Sequence, residues 1–205
     1  MKLIEPILEN LISLISRLPG LGPKSARRIA LHLLKNKDNL MNPLAETLSK
    51  AHSEILRCEI CGAIKSSSAS CTIKKCHYIS NSYDQLCIVE NIADMWAMEA
   101  TNIYKGHYHI LGGTLSALNG SDPDTLLINS LIERVKKNNV KEVIIATSAT
   151  IEGQTTAHYI NDSLKSHNVK ITKLAHGLPV GSEIEYLDDG TLFSAFKYRN
   201  SISEK

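Results

Sequence analysis

The sequence predicts an α/β protein: a parallel sheet layered with helices, preceded by a small helical region and a cysteine-rich insert. Three features point that way. Short apolar runs at residues 86–89, 108–111, 143–146 and 169–174 alternate with stretches of helical spacing, the pattern of a parallel sheet covered on both faces. Ahead of them, apolar residues recur at helical intervals between Ile7 and Leu34. Between these regions, four of the five cysteines fall within residues 58–76.

In the helical region, Ile7, Leu8, Leu11, Leu14, Ile15 and Leu18 predict an amphipathic helix over 6–17. Next comes Leu18-Pro19-Gly20-Leu21-Gly22-Pro23-Lys24. Gly20 and Gly22 suit a tight turn whose backbone can approach a ligand, and Pro23 suits a first helical position. A second helix then turns Ala26, Ile29, Ala30, Leu33 and Leu34 inward, with Leu18 and Leu21 expected to plug the turn into the core. Free amides at that helix start favour an anion, and Lys24, Arg27 and Arg28 add positive charge beside it. Such a turn can grip a phosphate without reading a base, so binding should be sequence-independent and salt-sensitive. These residues, roughly 14–34, resemble the helix-hairpin-helix DNA-binding motif. A third helix is expected from Asn42 as cap and Pro43 at its first position, with Leu44, Leu48, Ala51 and Ile55 on one face. His32 and His52 read as helix-surface or partly buried residues.

Charge is uneven along the 205 residues. Residues 1–57 carry nine Lys/Arg against five Asp/Glu, residues 58–83 three against one, and residues 84–205 eleven against fifteen. A basic front suits a polyanion and an acidic back does not. No apolar run is long enough to span a bilayer, and the Met1-Lys2-Leu3-Ile4-Glu5-Pro6 start lacks the layout of a secretion signal. A cytoplasmic, nucleoid-associated protein without membrane contact is the expectation. Reduced thiols there favour metal over disulfide.

Cys58-Glu59-Ile60-Cys61-Gly62 has the form of a zinc knuckle, in which the glycine lets the chain turn back. Cys71 and Cys76 complete four thiolates for one structural Zn²⁺ per chain, a closed sphere with no position left for water. His77 is an alternative fourth ligand. The serine-rich stretch 63–70 is expected to be an exposed loop, and Cys87, inside Leu86-Cys87-Ile88-Val89, a core residue.

In the sheet region, helices are expected over 93–100, 126–137 and 155–166, and the ligand site beyond the strands' carboxyl ends. Glu90 and Asp94 fall there, in Ile88-Val89-Glu90-Asn91-Ile92-Ala93-Asp94. This stretch resembles the opening of a Toprim domain. The resemblance implies that catalytic members pair this glutamate with an Asp-x-Asp after the third strand, to hold Mg²⁺. Here that place reads Thr147-Ser148-Ala149, with Glu152 just beyond, so no efficient nuclease, primase or topoisomerase activity is expected. Glu90 reads as a remnant, a weak Mg²⁺ contact or a protein-binding acid. The last segment has Gly177-Leu178-Pro179-Val180-Gly181, which lacks the lysine of a P-loop and reads as a rigid turn. A short amphipathic helix through Ala195, Tyr198 and Arg199 follows.

Taken together, Leu18-Pro-Gly-Leu-Gly-Pro-Lys-Ser25, the cysteines, Glu90 to Asp94, Thr150-Ile-Glu-Gly153 and Ala175-His-Gly-Leu-Pro-Val-Gly181 resemble the RecR family of bacterial recombination mediators over essentially the whole chain. The resemblance implies a helix-hairpin-helix region over 1–57, a C4 zinc finger over 58–77, a Toprim domain over 84–177 and a C-terminal oligomerisation arm over 178–205. It implies a non-catalytic clamp on gapped or single-stranded DNA, a ring-like tetramer or a dimer, working with RecO and RecF to help load RecA. Gly20, Gly22, Lys24, Arg27 and Arg28 would face DNA, and Glu90, Asp94 and Glu152 the RecO-contacting surface. The alternative is a Mg²⁺-dependent Toprim enzyme acting on nucleic acid.

Overall fold

Helical spacing at the front of the chain becomes a hairpin of two helices, α1 (Pro6–Ser16) and α2 (Pro23–Lys35), in a computed structural model that describes residues 5–67, 83–116, 120–175 and 177–199. The chain divides into two compact units, Met1–Ile55 and Leu56–Lys205. In the first, Ile15 of α1 packs on Ala26, Ala30 and Leu33 of α2, with Leu8, Leu11, Leu21 and Ile29 at the margins. Alanines at the crossing let the two backbones approach closely. The expected burial is only partly realised: Ile7, Leu14 and Leu18 are exposed, so Leu21 alone of the two turn leucines packs against the core. A π-helical turn, Lys37–Met41, runs straight into α3 (Asn42–Glu54), so Asn42 is a helical residue and caps nothing with its side chain. None of the α3 side chains is buried, and Leu44 and Leu48 face outward. His32 and His52 are exposed, as read from sequence.

Ile55 ends the helix and opens a short strand, contrary to its expected place on a helical face. This strand, β1 (Ile55–Arg57), pairs with β2 (Ile64–Ser66), which lies inside the stretch expected to be loop. Residues 68–82, which include Cys71, Cys76 and His77, lie outside the described residues.

The second unit is built on β3 (Gln85–Val89), β4 (His107–Ile110), β5 (Glu142–Ala146) and β6 (Lys170–Lys173), all parallel in the order β4-β3-β5-β6. Strand alternation splits the apolar side chains between two faces. Leu86, Ile88, Val143 and Ile145 pack under α5 (Ile128–Asn138) and α6 (Ile151–Leu164) through Leu131, Val135, Ile160 and Leu164. Cys87, Val89, Ile144 and Ala146 face the other way, toward Met95 of α4 (Ile92–Ala100) and toward Cys58, Cys61 and Ala63. Both faces are therefore covered, but on one of them the cysteine turn does part of the covering. Cys87 is fully buried, and burial pushes its thiol up to about 12, in keeping with a core role.

Two helices start away from their expected first residues. α6 begins four residues early because Thr150 caps it, its hydroxyl accepting from the Gly153 amide at 3.1 Å. α5 begins two residues late, after a turn whose Leu127 amide bonds back to the Leu111 carbonyl. The last described helix, α7 (Asp189–Lys197), is capped by Asp188 and stops short of Tyr198 and Arg199, which the sequence placed on it. Among the described residues, no helix is long and apolar enough to cross a membrane.

Candidate nucleic-acid interface and acidic sheet edge

At the turn between α1 and α2, Gly20 adopts φ +77°, a left-handed conformation that L side chains rarely take. The Leu21 amide closes the turn on the Leu18 carbonyl at 3.1 Å, and the Gly22 carbonyl accepts from the Ala26 amide at 2.9 Å. Gly22 is the N-cap of α2, with Pro23 at its first position, and no side chain caps the helix. The amides of Lys24 and Ser25 thus have no intrahelical partner, and no acid stands in the first turn. A Cβ on either glycine would meet nothing within 4 Å, so the backbone here is open to an approaching strand. Lys24, Arg27 and Arg28 are all exposed on the first turns of α2. Open amides, the positive helix end and three solvated cations converge on one patch suited to phosphate oxygens.

The acidic residues are placed differently from one another. Glu90 follows β3 at the carboxyl edge of the sheet and is half-buried. Its Oε1 accepts from the Ser148 amide at 2.6 Å, and its backbone carbonyl from the Gly112 amide at 2.8 Å. The Glu90 carboxylate thus meets a backbone donor just beyond β5. Gly153 permits this fit: a Cβ there would collide with the Ser148 carbonyl and hydroxyl and come within 3.0 Å of the Glu90 carboxylate. Asp94 is occupied by a capping box, accepting from the Asn91 amide at 3.1 Å while the Asn91 side chain accepts from the Asp94 amide at 3.0 Å. Glu152 sits in the first turn of α6, where the helix dipole favours an acid. Among the described residues, no three of His, Cys, Asp and Glu gather to hold a metal ion, so Glu90, Asp94 and Glu152 do not form one acidic set.

Cys58 and Cys61 lie on a tight turn. The Gly62 amide bonds the Cys58 carbonyl at 2.8 Å, the Cys58 amide bonds the Ala63 carbonyl at 2.7 Å, and Gly62 takes φ +77°. Both thiols are buried. Two soft donors on one glycine turn fit half of a tetrahedral thiolate site; Cys71 and Cys76 lie outside the described residues.

Three family models match the chain: RecR, helix-hairpin-helix over residues 8–52, a Toprim domain over 84–175, and RecR, C-terminal over 177–200. It is 57% identical over 195 residues to a protein named Recombination protein RecR from Pelagibacter ubique (strain HTCC1062), covering 95% of each chain. The chain belongs to the RecR family. Proteins of the same name from Sinorhizobium fredii and Beijerinckia indica are 49% and 50% identical over 197 residues, covering 96% of each chain. The α1–α2 turn lies inside the RecR helix-hairpin-helix match, and the four-stranded sheet inside the Toprim match, as the sequence resemblance implied.

Sequence reasoning missed two residues that shape the second unit, Arg57 and Arg134. Arg134 is buried on α5: its Nε donates to the Tyr83 hydroxyl at 3.1 Å and its Nη1 to the Tyr108 carbonyl at 2.9 Å. A signal was present, since Arg134 stands three residues after Leu131, on the apolar stripe of the helix.

Proposed function

We propose that this protein is a non-catalytic DNA-binding clamp of recombinational repair, working with RecO and RecF to help load RecA at gapped or single-stranded DNA. The observation that carries the reading is the uncapped start of α2, with open space at Gly20 and Gly22 and exposed Lys24, Arg27 and Arg28. Such a patch binds backbone phosphates and leaves the bases unread. The absence of catalysis draws support from Thr147 and Ala149, which stand in place of the Asp-x-Asp, and from the Ser148 amide, which engages the Glu90 carboxylate. Partner contact through Glu90, Asp94 and Glu152 draws support from their position at one end of the sheet region, beyond β3 and β5. Self-association into a dimer or ring draws support from the exposed Val180, Ile184, Tyr186, Phe193 and Phe196 of the C-terminal segment. Cys58, Cys61, Cys71 and Cys76 would hold one Zn²⁺, which supplies folding energy and no chemistry. The work is assigned to the cytoplasm, at the nucleoid.

Fluorescence anisotropy with labelled single-stranded and gapped DNA, across a salt series and with or without RecO, tests this reading. Expected are weak, salt-sensitive binding alone and strong binding with RecO, with the DNA intact after incubation with Mg²⁺. Cleavage abolished by Glu90→Gln, or indifference to DNA with RecO present, would sink it. Native mass spectrometry should find one zinc per chain, lost in Cys58→Ser.

A further inference from the structure

The cysteine turn straddles one open edge of the Toprim sheet. β4 is the edge strand. The Leu111 amide bonds inward to the Val89 carbonyl, so by parallel-sheet alternation the Ile110 amide and carbonyl point outward from the sheet. Both outward groups are taken by the cysteine turn and its flank. The Ile110 amide donates to the Cys61 carbonyl at 2.8 Å, and Arg57 Nη2 donates to the Ile110 carbonyl at 3.0 Å. The same guanidinium reaches back through Nε to the Gly62 carbonyl at 3.4 Å. Its planar fork therefore bridges the turn and the strand. Two glycines make room: a Cβ on Gly62 would strike the Ile110 carbonyl, and one on Gly112 would strike the Arg57 guanidinium. From the opposite face, the Ser130 hydroxyl of α5 donates to the Ile60 carbonyl at 2.8 Å. Cys58 and Cys61 pack with Tyr108 and Ile110 on the α4 face, so the turn is gripped from both sides of the strand.

We infer that Arg57 is a positioning residue for the metal site: it fixes the Cys58–Cys61 half-site on β4, so that metal occupancy and the pairing of the sheet edge stabilise each other. This rests on the zinc reading proposed above. The linkage runs both ways, because whatever binds the ordered turn more tightly than the disordered one favours the order. Without Arg57 the turn keeps its cysteines but loses the bridge to Ile110, and metal should escape faster.

The test measures zinc release from the full chain to a chromogenic chelator for the unmutated protein, Arg57→Ala and Arg57→Lys, with residue-resolved amide hydrogen exchange of the unmutated protein before and after zinc removal. Arg57→Ala is expected to release zinc roughly 10–100-fold faster, the scale of lost supporting contacts around metal ligands, with Arg57→Lys in between because an ammonium lacks the fork. On zinc removal, exchange should quicken at the Ile110 amide, which bonds Cys61, and stay slow at the Leu111 amide, which bonds Val89. Unmutated protein that carries zinc, with Arg57→Ala releasing it at the same rate, overturns the inference and leaves the zinc site standing. So does an Ile110 amide indifferent to zinc, a readout that needs no variant to fold. Unmutated protein without zinc overturns the metal reading itself, and this inference with it.

Discussion

Mild acid should loosen the sheet unit through a single histidine. His109 is fully buried on β4, its Nε2 donating to the Leu127 carbonyl at 2.8 Å and its Nδ1 accepting from Arg134 at 3.2 Å. Only the neutral ring can do both. Burial, then the charge of Arg134, push its pKa down to about 3 from 6.5; the Leu127 carbonyl opposes the shift and Arg57 adds to it. The folded value lies below the unfolded one, so between them the unfolded chain binds a proton that the native chain refuses. The stability contributed by the neutral ring is therefore present above pH 6.5 and drains away as pH falls toward 3. At about 1.4 kcal/mol per unit, moving from pH 7 to pH 5 should cost about 2 kcal/mol, a large share of ordinary domain stability. Glu142, Asp162 and Asp188 are held below the usual carboxylate range by hydrogen bonds and do not add to the loss in that window. Urea unfolding followed by fluorescence of Trp96, the sole tryptophan and part of α4, reads the sheet unit directly. His109→Gln keeps a donor and an acceptor but cannot titrate, so its loss between pH 7 and pH 5 should be smaller by about 2 kcal/mol. Equal losses in the two proteins would refute the reasoning.

Lys24→Ala combined with Arg28→Ala should weaken DNA binding alike for every sequence and flatten the log–log salt slope by roughly 2, read by anisotropy. Gly20→Ala meets no neighbour but must hold φ +77°, so circular-dichroism melting should show the helical unit destabilised by about 1–2 kcal/mol. Gly153→Ala forces a methyl against Ser148 and the Glu90 carboxylate, and Trp96-monitored urea unfolding should report a loss of about 1–3 kcal/mol.

Periodicity made the sheet legible: four apolar runs became four parallel strands, each within two residues of its expected limits. The helix-hairpin-helix turn was legible because Gly20, Gly22 and Pro23 have narrow conformational uses. What escaped were features decided by partners distant in sequence. β1 and β2 are three residues each and, among the described residues, pair with one another alone, too short for a period to register. Leu18 and Leu48 fit an apolar stripe, yet both stay exposed among the described residues of the small first unit. Asp94 reads by resemblance as part of the partner-facing acidic surface; its capping box with Asn91 went unread. Arg57, Arg134 and His109 form contacts spanning tens of residues; the apolar stripe of α5 marks Arg134 as inward-facing, but nothing local names its partners.

The two outer strands of the sheet meet opposite treatment, with consequences for assembly. β6 begins and ends in lysine, and a charged rim repels a foreign strand without any covering element. β4 has no such charges and leans on a turn that leaves the ribosome about fifty residues before it. When β4 emerges its cover is already made, and the pair β3–β4 can grow on one side only. β5 and then β6 must add there, so the order of synthesis and the order of strands agree, and a newborn chain shows its neighbours little adhesive surface.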